Sequence, residues 1–84
     1  VESLAFVEPY VAPQNATVEV CVKAQAEGRA VLGLHFDGSD SNGALAPAVA
    51  DNCFVVETGG SDLALEFTAG GVTESLVLQV EGAN

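Results

Sequence analysis

Two runs of alternating apolar residues joined by a glycine pair, near the end of the chain, do most to fix what this sequence can fold into. Leu63-Ala64-Leu65-Glu66-Phe67 puts Leu63, Leu65 and Phe67 on one face. After Ala69-Gly70-Gly71 the alternation resumes, with Leu76, Leu78 and Val80 in phase. A period of two buries one face of an extended chain, and a Gly-Gly pair tolerates the positive φ of a tight hairpin turn. The pattern predicts a β-hairpin with one buried face. It sets the class of the domain and leaves its task open.

The rest of the chain reads in the same way. Residues 4–11 carry apolar groups on both faces but are interrupted by Pro9, which has no N–H to give to a ladder. This first strand is expected at a sheet edge, or switching sheets at a kink. Pro13-Gln14-Asn15 makes a turn, and Val18, Val20 and Val22 share one face of the next strand. Residues 24–28 read as a polar connection, and residues 29–36 as a strand whose core face is Ala30, Leu32, Leu34 and Phe36, with Gly33 marking a bulge or a close backbone approach. Asp37-Gly38-Ser39-Asp40-Ser41-Asn42-Gly43 is a dense turn signal. Residues 44–50, broken by Pro47, read as a weak edge strand or an ordered loop, and residues 53–58 as another strand.

Short strands at this spacing imply an all-β, immunoglobulin-like antiparallel β-sandwich of six to seven strands, a single domain over residues 1–84. The expected core is Phe6, Val18, Val20, Leu32, Leu34, Phe36, Leu63, Leu65, Phe67, Leu76, Leu78 and Val80.

Size and charge narrow the function. A chain of 84 residues buries roughly 60 to 65 per cent of its unfolded surface, so it has little room for a large ligand cavity beside a packed core. No apolar run approaches the roughly 20 residues that span a bilayer as a helix, so no membrane insertion is expected. Twelve acidic side chains stand against Lys23 and Arg29, a net charge of −10. Phosphate backbones and anionic lipid surfaces are neutralised by Lys and Arg, so nucleic acid and such membranes are poor partners. The acids are scattered singly, as on the solvated faces of strands.

Cys21 and Cys53 are the only cysteines. Cys21 lies on the polar face of its strand with Thr17, Glu19 and Lys23, where a buried free thiol has little reason to sit and a staple to a neighbouring strand has one. A bridge would place the protein in an oxidising compartment, extracellular or on a particle surface. The first residue is Val1 and no signal-like segment is visible, so a chain processed or cut from a longer one is expected. Asn15-Ala16-Thr17 has the form of a glycosylation sequon, a pattern that also arises by chance.

Residues for catalysis are few. His35 is the only histidine, and Asp37 and Ser39 beside it in sequence do not form the convergent set that nucleophilic catalysis needs. No catalytic residue and no cofactor are expected. Asp37, Asp40 and Asn42 offer hard oxygen ligands of the kind calcium takes, and Asp51 and Glu81 would join them if the loops gather at one end. The spacing is not that of a helical calcium loop.

Val18-Glu19-Val20-Cys21-Val22, the Asp51-Asn52 turn and Leu65-Glu66-Phe67-Thr68-Ala69-Gly70 leading to Leu76-Val77-Leu78-Gln79-Val80 resemble the Calx-beta domain over about two-thirds of the chain. The resemblance implies an extracellular or regulatory β-sandwich, found in adhesion proteins and ion exchangers and often binding calcium at one end. By that resemblance Asp51 falls at a calcium-ligating Asp, and Glu81 near the family's run of terminal acids. Pro13-Gln14 stands where the family has a ligating Glu, and the chain ends before the family's last strands. A sandwich short of strands exposes an edge or groove that pairs with another chain. The doubly apolar first strand could even leave home and fill a neighbour's groove.

The expectation for function is therefore a non-catalytic structural or interaction module, a subunit of an extracellular or virion surface assembly with protein partners or copies of itself. The alternative is a calcium-assisted cell-adhesion module.

Overall fold

The computed structural model describes residues 2–8, 10–26, 29–31, 35–48 and 52–83. Their strands are β1 (Glu2–Phe6), β2 (Val11–Ala12), β3 (Thr17–Ala26), β4 (Arg29–Val31), β5 (Asp37–Asp40), β6 (Gly43–Ala44), β7 (Ala46–Pro47), β8 (Cys53–Glu57), β9 (Leu63–Ala69) and β10 (Val72–Val80). Among the described residues there is no helix. The segments are more numerous and shorter than the six or seven strands expected, because β2, β6 and β7 are two-residue pairings along sheet edges.

One sheet runs β1-β3-β8-β7, with β4 also on β3; the other runs β2-β10-β9-β5-β6. All pairings are antiparallel except β2 with β10, where Val11 and Ala12 lie beside Gln79 and Val80. The first segment therefore crosses from one sheet to the other between residues 6 and 11. Pro9 lies outside the described residues, but the sheet switch expected around it is present. β1 pairs with β3 of its own chain, from Glu2 opposite Ala26 to Phe6 opposite Val22.

The two sheets enclose one apolar core in the manner of a β-sandwich. Phe54 of β8 and Phe67 of β9 meet at its centre, ring centroids 5.3 Å apart and tilted by 48°. A tilted pair at that distance adds about 0.5–1.5 kcal/mol beyond the area it buries. Around it lie Ala12, Val20, Val22, Ala24, Phe36, Val56, Leu65 and Leu78, with Leu4, Phe6, Val18, Leu63 and Leu76 partly buried against them. Val80 is also buried. Leu32 and Leu34 of the expected core, and the bulge or close backbone approach expected at Gly33, lie outside the described residues.

The hairpin β9–β10 follows its sequence closely. Ala69 pairs with Val72 across Gly70 and Gly71, whose φ values are 59° and 82°. Two successive positive φ angles make a turn whose twist matches the flanking strands.

Two expectations need correction. The polar connection expected over residues 24–28 is strand up to Ala26, because Val22 and Ala24 continue the buried face and residues 24–26 pair with β4. The turn expected over residues 37–43 is the hairpin β5–β6, closed only at Ser41-Asn42. Its glycine has a packing reason. A Cβ on Gly38 would sit 2.9 Å from Phe67 Cε1 and 3.2 Å from Phe54 Cδ1, so β5 lies over the aromatic pair only if that position has no side chain. Turn-like composition here serves a close approach inside a sheet.

Candidate functional site

The cysteines do form a bridge. Cys21 on β3 and Cys53 on β8 lie directly opposite one another, Cα atoms 4.0 Å apart, joined by a disulfide. The alternation of β3 put Cys21 on the face away from the core, and the antiparallel register brought Cys53 to the same face. Cys53 is buried and Cys21 half-buried. A carboxylate oxygen of Glu19, two residues along the same face, lies within 4.8 Å of both sulfurs. With the sulfurs bonded to each other they supply no thiolate, so these three do not form a metal centre in this state.

Beside the bridge lies a groove of about 230 Å³. Val20 and Leu78, both buried, and the half-buried Phe6 and Cys21 make its floor; Val7, Glu8, Tyr10 and Glu19 make its exposed rim. Val7 and Tyr10 are about half exposed, as is the adjoining Val11. The crossing of the first segment between sheets creates this surface, since its apolar residues cannot all face one core.

The crossing is tied down at both ends. Before it, the Leu4 amide donates to Glu74 Oε2 at 2.8 Å and the Val7 amide to the Cys21 carbonyl at 2.9 Å. The first of these occupies an N–H of an edge strand that would otherwise invite another chain. After the crossing, the Glu81 amide donates to the Ala12 carbonyl at 2.7 Å. The buried Thr58 hydroxyl then donates to the Pro13 carbonyl at 2.6 Å and accepts from the Ala16 amide at 2.9 Å. The backbone on either side of the groove is thus tied down, by one bond between two of its lining residues, Val7 and Cys21, and by others beyond it.

The expected calcium ligands are distributed differently. Asp37 and Asn42 are exposed and Asp40 is half-buried, with the Asn42 amide donating to Asp40 Oδ1 at 2.7 Å. Asp40 thus serves the turn. Asp37 pairs with Thr68 near one end of β9, whereas Glu81 follows β10 past the other end, where Leu78 pairs with Leu63. At roughly 3.3 Å per residue those ends are about 20 Å apart, so the register does not gather the two acids. Asp51 lies outside the described residues. His35 Nε2 lies 3.9 Å from Asp37 Oδ1, with both side chains largely exposed, beyond hydrogen-bond distance.

Sequence reasoning did not assemble the groove. Its only trace there was a first strand apolar on both faces and broken by a proline. Asn52, at φ 61°, was seen only as a turn residue; its Oδ1 accepts from the Phe36 amide at 3.0 Å and its carbonyl from the Val22 amide at 2.9 Å.

Fold and bridge define an all-β domain of two sheets, stapled by a disulfide within one of them. The chain matches no family model, no curated protein and no solved structure. Among the described residues, no helix is long and apolar enough to cross a membrane.

Proposed function

We propose that the protein is a non-catalytic structural and interaction module, a subunit of an extracellular or virion-type surface assembly, built as an immunoglobulin-like sandwich. The observation that carries this reading is the groove at the sheet crossing, where Val7 and Tyr10 stand exposed on an anchored backbone. An apolar surface held rigid before contact loses little entropy on binding. The disulfide supports an oxidising compartment. The immunoglobulin likeness lies in the two-sheet architecture; the bridge joins neighbours within one sheet rather than linking the two sheets.

The runner-up, a calcium-assisted adhesion module of the Calx-beta kind, rests on the residue patterns already quoted and draws on Asp37, Asp40, Asn42, Asp51 and Glu81. The separation of Asp37 from Glu81 makes it the weaker reading.

The test is the mass in solution of protein taken from its native source, by light scattering, before and after mild denaturation. A mass well above that of one chain, falling to that of one chain on mild denaturation, supports the proposal. A monomer throughout overturns it.

A further inference from the structure

We infer that the groove receives a lysine or arginine side chain from a basic protein partner. This rests on the reading of the groove as a contact surface and specifies the chemistry of what it contacts.

Size comes first. At about 230 Å³ the groove falls short of the roughly 300–1,000 Å³ typical of pockets that enclose a free small molecule. It is of a size for one long side chain. Its chemistry is divided to match. The floor, from Val20, Leu78 and Phe6, is apolar and suits an aliphatic stem. The rim carries two carboxylates, Glu8 and Glu19, and the ring of Tyr10. Lys and Arg bury the stem while keeping the charged head toward polar groups, and an aromatic face adds attraction for a cation.

The charge of the chain decides between occupants. Lys23 and Arg29 are its only lysine and arginine against twelve acids, so a second copy would bring its own net charge of −10 to an acidic rim. A nucleic acid or an anionic membrane meets the same repulsion. A basic partner is drawn in instead, over about 10 Å at moderate ionic strength.

The experiment uses the full chain with its disulfide intact. Its probe is a fluorescein-labelled peptide alternating leucine and lysine, compared with a leucine–glutamate peptide by anisotropy at low and high salt. The lysine peptide should bind saturably, more weakly as salt rises, and the glutamate peptide should not bind. Glu8→Gln with Glu19→Gln should weaken binding at least about fivefold, whereas the charge-matched Asp37→Asn with Glu66→Gln should change it less than about twofold. All four side chains are exposed, so neither double variant threatens folding.

Equal loss in both double variants would show attraction to net charge alone and overturn the inference. Equal binding of the two peptides would also overturn it, while leaving the groove as an apolar contact surface. Absence of saturable binding would overturn it too. The native assembly mass then decides separately whether the proposed function stands.

Discussion

The acidic hairpin at residues 37–43 and the groove at the sheet crossing differ in how each was reached, and the difference concerns what a sequence displays. The hairpin has every local mark of a site: carboxylates, an amide side chain and glycines within seven residues. In the fold those residues serve the structure. Gly38 lets β5 lie over Phe54 and Phe67, and Asp40 accepts the amide that closes the turn. The groove has no local mark. Its residues come from positions 6–8, 10, 19–21 and 78, and meet only because β1 pairs with β3 while β2 pairs with β10. Clustering along the chain is weak evidence of a site when the same residue types also make turns and close approaches.

Measurements can break this contrast, and the largest effect belongs to the groove side. Replacing Cys21 and Cys53 by serine opens a loop of sequence separation 32. It should lower the unfolding free energy by about 3–4 kcal/mol in urea titrations followed by circular dichroism. A loss well under 1 kcal/mol would mean that the bridge holds nothing the core does not.

On the hairpin side, Gly38→Ala should destabilise by about 1–3 kcal/mol, since the added Cβ meets both aromatic rings. Gly59→Ala, with open space around it, should stay within about 0.5 kcal/mol of the parent. If residue 38 were an ordinary turn glycine, the two variants would behave alike.

Thr58→Val removes the hydroxyl that ties Pro13 and Ala16 to the end of β8. A loss of about 1–2 kcal/mol is expected, together with faster amide exchange over residues 10–16. Unchanged exchange there would show that the groove backbone is held by other means.

The smallest expected effect is that of calcium. Since Asp37 and Glu81 lie toward opposite ends of one sheet, millimolar calcium should leave the melting temperature unchanged. A clear rise would restore the adhesion reading.

Much of the fold was legible because the physics that sets it is local. The alternation of residues 63–67 and 74–80 survives in the structure face for face, and the turn falls at Gly70-Gly71. The disulfide was legible from the parity of Cys21 on its strand. Phe54 and Val56 were missed as core residues because Val55 between them makes a continuous apolar run that hides which face is buried. Ala12 and Ala24 were missed because a small side chain carries almost no burial signal. The strand at residues 37–40 was missed because Gly38 answers to two rings far away in sequence. A parallel pairing of residues 11–12 with 79–80 leaves no local mark either, and the groove depends on it.

The most direct test is a map of amide chemical shifts in the ¹⁵N-labelled protein as the leucine–lysine peptide is added. The changes should centre on Val7, Glu8, Tyr10, Glu19 and Cys21 and leave residues 37–42 unmoved. Changes centred on residues 37–42, or spread evenly over the acidic surface, would contradict the assignment of the groove as the binding site.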